Sequence, residues 1–91
     1  MSEVTLKGFI LVAKDELTVV KHALGRHTQL TREEPGCIQF DVTQSQENPC
    51  RFEVFEVFKN KEAFEHHQAR VQSSDWGRLT VNVERHYEVF E

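Results

Sequence analysis

Ninety-one residues suffice for one small domain with a modest core, and a chain that is 38% hydrophobic and 29% charged has globular composition. A formal charge of −4 and a pI near 5.7 argue against nucleic acid as a partner, because no run of Lys and Arg supplies the basic face it needs. The longest apolar run, "FILVA" at 9–13, is too short to span a bilayer, and "MSEVTLKGF" lacks the basic start and apolar middle of a signal peptide. The expectation is therefore a single cytoplasmic domain over residues 1–91, with no membrane partner.

Residues 4–13, "VTLKGFILVA", read as a first strand rich in apolar and β-branched types. From Asp15 the period changes. Leu17, Val20, Leu24, His27 and Thr31 recur at three and four, as one face of a helix does. "EEPGC" ends that helix, since Pro35 disfavours helix at Glu34 and Gly36 offers a flexible exit. "CIQFDVTQS" and "RFEVFEVF" are two further strands, joined by the polar turn "QENP". Ala63, Phe64, His67 and Val71 mark the inner stripe of a second helix, and "VERHYEVF" closes the chain as a fourth strand. The order β-α-β-β-α-β defines an α+β, ferredoxin-like fold: a four-stranded antiparallel sheet with both helices on one face. Of the adjacent histidines, His67 lies on the inner stripe, three after Phe64 and four before Val71. His66 shares its side with Glu62 and Arg70, toward water.

The sheet face away from the helices should be polar in a monomer. Here the alternation leaves Phe9, Leu11 and Ala13 of the first strand, and Phe55 and Val57 of the third, on that second face. A second copy of the chain is its simplest cover, so a homodimer through the sheet is expected.

"LTREEPGCIQFDV" followed by "RFEVFEVFKNKEAFEHHQ" resembles the antibiotic biosynthesis monooxygenase family, also called quinol monooxygenase-like. The matching positions are Thr31, Arg32, Glu34, Pro35, Gly36 and Cys37, then Phe52, Phe55, Glu56 and Phe58, then Phe64 and His67. The resemblance implies a dimeric α+β barrel with a small cavity between sheet and helices. Members of that family oxidise quinols or aromatic polyketides with O₂ and no cofactor, isomerise a phosphorylated sugar-derived dione, or degrade haem. The family pattern continues with a Thr and a second His where this chain has Arg70 and Gln72, so a two-histidine relay is absent. The haem-degrading branch uses an Asn early in the first strand, and this strand has none.

Such oxygenation needs a base with a pKa near working pH, a dry apolar pocket and a donor for the developing oxyanion. His67, with an unperturbed pKa of about 6.5, is the candidate base, and Glu56, set between Phe and Val on its strand, is its orienter or proton acceptor. Phe40 and Trp76 could wall a flat small-molecule substrate, Phe64 belongs to the same inward motif, and Arg70 at a cavity mouth would suit an anionic ligand. The bland readings stand beside these. His67 would be a core histidine bonded to a backbone carbonyl, Glu56 would pair with Lys or Arg across the sheet, Trp76 would cap the core, and Arg70 would be solvated. An isomerase abstracting a proton next to a carbonyl, or a non-catalytic dimeric binding protein, are the alternative functions. Neither His22 with His27 nor His66 with His67 has metal-ligand spacing, the glycines form no phosphate loop, and no cofactor is expected.

Overall fold

A computed structural model of the chain describes residues 2–91. The strands are β1 (Val4–Leu11), β2 (Cys37–Gln44), β3 (Arg51–Phe58) and β4 (Glu84–Phe90); the helices are α1 (Leu17–Arg32), α2 (Lys61–Gln72) and α3 (Asp75–Leu79). All pairings are antiparallel in the order β2-β3-β1-β4, the ferredoxin-like arrangement expected. Two elements were not expected. A 3₁₀ turn at Lys14–Glu16 delays the first helix to Leu17, and five-residue α3 follows α2, with the Ser74 hydroxyl accepting from the Gly77 N–H at 3.1 Å. Asn60 caps α2 in the same way, accepting from the Ala63 N–H at 2.8 Å. Among the described residues no helix is long and apolar enough to cross a membrane.

Alternation decides what each face of the sheet carries. Leu6, Ile10, Phe52 and Val54 point at the helices and join Val12, Val20 and Val83 in the core, with Leu17, Leu24, Phe64 and Trp76 packed around it. Each fully buried side chain of this size contributes roughly 1.5–3 kcal/mol, offset by the conformational entropy lost on folding. Gly8 stands in the same row, opposite Tyr87 of β4. A Cβ there would lie 1.9 Å from the His86 carbonyl oxygen, so only glycine lets β4 approach β1 this closely.

The second face of the sheet carries the apolar residues that alternation puts there, Leu11 and Val57 among them. Phe9, Phe55 and Phe90 are on it, but long charged side chains alternate with them and lie across the Phe9 and Phe90 rings. The Arg51 guanidinium sits 3.7 Å from the Phe9 ring centre, His86 stacks on Phe9 at 4.6 Å, and the Lys7 ammonium lies 5.5 Å from the Phe90 ring. Phe55 and Phe90 remain 37% and 47% exposed.

His27 on α1 is the most unusual member of the helix-facing layer. Its ring stacks flat on Trp76, centres 4.5 Å apart and 4° from parallel, and its buried Nδ1 has no hydrogen-bond partner. Burial, then the nearby His67 and Arg70, push its pKa down to about 3. The unfolded chain protonates His27 below about 6.5 while the folded chain resists, so this contribution is present above pH 6.5 and lost toward pH 3. Glu56, raised to about 7, acts oppositely between pH 4.5 and 7, so the informative quantity is a difference between variants. Urea unfolding at pH 7 and pH 4 is expected to show a smaller acid loss for His27→Phe than for wild type; equal losses would remove His27 as the cause.

Candidate active site

The site is built around the exit of α1. Thr31 donates its hydroxyl hydrogen to the His27 carbonyl at 2.8 Å, and Glu34 turns the chain, donating N–H to Thr31 O and accepting from the Cys37 N–H, both at 3.0 Å. The turn is held against α2: a Cβ on Gly36 would lie 2.3 Å from the Ala63 Cβ, and Gly36 O accepts from the Lys59 N–H at 2.9 Å. This close approach, which only glycine permits, places the Glu34 carboxylate beside α2, 8% exposed.

Two donors from α2 meet it there. Arg70 donates Nε–H to Glu34 Oε2 at 2.7 Å and Nη2–H to the Thr31 hydroxyl at 3.0 Å. His67 Nδ1 lies 2.9 Å from the same Oε2. An oxygen that accepts from Arg70 also accepts from His67, which assigns the proton to Nδ1 and leaves the Nε2 lone pair free. That lone pair faces Glu56 of β3, whose Oε1 is 3.6 Å away, too far for a direct hydrogen bond, and has no partner of its own. The four side chains make one line, Arg70–Glu34–His67–Glu56.

Protonation follows from that line. Burial lowers the His67 pKa, partly opposed by the Glu34 hydrogen bond, so the ring is neutral at pH 7. Burial, reinforced by the Glu34 charge, raises Glu56 to about 7, leaving it an acid and a base in comparable amounts near neutrality. A neutral base thus faces a carboxyl poised to give or take a proton.

Both groups open into a cavity of about 440 Å³ floored by Leu6 and bordered by His27, Gln72, Trp76, Arg85 and Tyr87. Burial and the Glu56 charge push the Tyr87 hydroxyl up to about 12, so it stays a proton-bearing donor. Among the described residues no three His, Cys, Asp or Glu side chains are grouped to hold a metal ion.

Of the residues singled out from sequence, His67, Glu56 and Trp76 border this cavity. Phe40 is buried behind the site, its ring 6.0 Å from His67 and 5.4 Å from His27, edge-on to the latter. Phe64 packs on Phe58 at 5.8 Å and does not line the cavity. Arg70 is neither solvated nor at the cavity mouth. It is a quarter exposed and turned back onto Glu34, because a buried carboxylate beside α2 attracts the nearest cation. His67 bonds a carboxylate instead of a backbone carbonyl, and among the described residues Glu56 has no Lys or Arg partner. Glu34, His27, Arg85 and Tyr87 were missed as site residues. The available signal was that His27, Thr31 and Glu34 fall on one helical side that continues into the turn.

Similarity to known proteins agrees with this architecture. The sequence profile of the family described as antibiotic biosynthesis monooxygenase matches residues 4–78. Among curated proteins none matches significantly. Similar solved structures include a candidate antibiotic biosynthesis monooxygenase from Nitrosomonas europaea (22% identity, TM-score 0.79, covering 97% of this chain and 85% of that one). Another is a Bacteroides thetaiotaomicron protein of unknown function, described as a possible oxidoreductase (22%, 0.78, 99% and 97%). A third is a candidate antibiotic biosynthesis monooxygenase from Deinococcus radiodurans (18%, 0.75, 99% and 91%). At these identities the structures speak for the fold alone, while the profile spans most of the chain. The chain belongs to the antibiotic biosynthesis monooxygenase family.

Proposed function

We propose that the protein is a cofactor-independent monooxygenase that oxidises a small quinol or enolisable aromatic with O₂, using His67 as general base, Glu56 as proton donor and acceptor, and a homodimer joined through the open sheet face. The observation that supports it most is the neutral His67 whose Nε2 is aimed by Glu34 at a cavity shared with Glu56. Trp76, on the cavity wall, offers a flat ring edge or face to an aromatic substrate.

In this reading His67 Nε2 takes the hydroxyl proton of the substrate, and the phenolate or enolate passes one electron to O₂. Superoxide and the substrate radical join at the ring carbon, and Glu56 protonates the resulting peroxide. The carbon-bound hydrogen then leaves as a proton to Glu56, the O–O bond breaks, and hydroxide takes the proton held by His67 as water. For a hydroquinone the sum is quinol plus O₂ giving hydroxyquinone plus water, with both side chains restored. The same acid–base pair would serve proton transfer next to a carbonyl, and Glu56 near pH 7 favours that isomerase as the second reading. Turnover without O₂ distinguishes it.

Oxygen consumption with a panel of hydroquinones and naphthoquinols tests the base. His67→Gln keeps volume and a hydrogen bond but no base, so turnover is expected to fall by about 10²–10⁴ at an unchanged melting temperature. Full activity in a stable variant would take His67 out of the mechanism. The pH profile tests Glu56: kcat/KM should decline above about 7 as its carboxyl ionises, and Glu56→Gln should lose both that limb and most of the rate. A limb that persists in the variant belongs to another group. For assembly, the half-exposed Phe55 and Phe90 support a paired sheet face. Sedimentation at micromolar concentration should give a dimer that Phe55→Lys shifts toward monomer; a compact wild-type monomer contradicts the dimer.

A further inference from the structure

Arg85 borders the cavity at the end away from His67. It is anchored on protein acceptors, donating Nη1–H to the Val83 carbonyl at 3.1 Å and Nη2–H to the Thr80 hydroxyl at 2.9 Å. Thr80, fully buried, passes its own hydrogen to the Trp76 carbonyl at 2.6 Å, so the guanidinium is tied to the wall that carries Trp76. Among the described residues no carboxylate lies within ion-pair distance of it. Neighbouring Glu84 points to the opposite face of the sheet, where it pairs with His86. Arg85 is exposed and also hydrogen-bonds the Tyr87 side chain, but it keeps further N–H donors and has no counter-ion, which makes it a partner for a planar anion.

Register fixes what lies between the two ends. Glu56 stands opposite Leu6 and Arg85 opposite Ile10, on the two strands that flank β1. Four residues along and two strands across separate their backbones by ~16 Å. The Arg85 side chain is held back toward Val83 and Thr80, and the Tyr87 ring lies between it and the His67–Glu56 pair, so the remaining space along the cavity suits one aromatic ring bearing a short substituent. Tyr87 stands between, opposite Gly8, with a hydroxyl that stays a donor.

We infer that Arg85 sets specificity and that the substrate carries a carboxylate at the end remote from its reacting hydroxyl. This rests on reading the cavity as the base-catalysed site. Carboxylate and phosphate can both accept a guanidinium fork, but a single uncompensated positive charge balances a monoanion, which is why a carboxylate is chosen over a doubly charged phosphate.

The test is binding without O₂, so that turnover plays no part. The probes are 2,5-dihydroxybenzoate and its methyl ester, isosteric at the ring and differing in charge, titrated calorimetrically. Wild type should prefer the acid by about tenfold or more, the worth of a charge-assisted hydrogen bond. Arg85→Gln, which keeps donors for Val83 and Thr80, should bind both probes alike, and Arg85→Lys should retain part of the preference. Equal affinity of wild type for acid and ester, failure of the acid to bind, or a preference surviving in Arg85→Gln overturns the inference. An acid preference with no oxygen consumption would sustain Arg85 while rejecting the monooxygenase reading, so the two can fail separately.

Discussion

The site depends on one buried carboxylate. Glu34 sits away from water at the end of α1, where an ionised group without partners would be strongly destabilising. It is kept there by two donors on one oxygen, Arg70 at 2.7 Å and His67 at 2.9 Å. Meeting that need orders three things together: it clamps α2 over the sheet, fixes the His67 tautomer, and presents Nε2 to the cavity. The cation that satisfies Glu34, Arg70, is supplied from the same helix as His67, three residues beyond the base it helps to orient.

Burial then separates the roles of the ionisable groups along the line. His67 is driven toward its neutral form and Glu56 toward its protonated form, because desolvation disfavours charge in both. Two groups that would pair as an ion pair in water instead face one another at 3.6 Å as a neutral imidazole and a carboxyl that is about half protonated near pH 7. Such a pair passes protons at little electrostatic cost, since neither state leaves a large isolated charge in the interior. His27, stacked on Trp76 and held neutral, adds no competing charge to that end of the cavity.

The sheet and both main helices were legible because their periods differ: Val4, Leu6 and Ile10 alternate, whereas Val20, Leu24, His27 and Thr31 recur at helical spacing. The inward direction of His67 followed from Phe64 and Val71 alone. α3 was not legible, because five residues are too few to show a period, and its start depends on the Ser74 cap. Nor was the role of Glu34, whose partners lie 33 and 36 residues further on. Its helical spacing from His27 and Thr31 points it inward, but only the close approach of Gly36 to Ala63 brings α2 and its donors to it. The residues of the second sheet face were legible in the same way as the strands, but not what lies over them. Alternation reports which residue faces outward, not whether a neighbouring arginine such as Arg51 lies over it.

The span between Glu34 and its partners also bears on how the domain assembles. A hydrogen bond closing 36 residues carries a larger loop-closure cost than the local turns, and it needs α2 returned across the sheet. Until then Glu34 keeps its water and His67 has neither a fixed tautomer nor a carboxyl opposite it. The acid–base machinery is therefore a late product of chain closure. A compact form that holds its strands but has loosened α2 would retain most of its secondary structure and have no site at all.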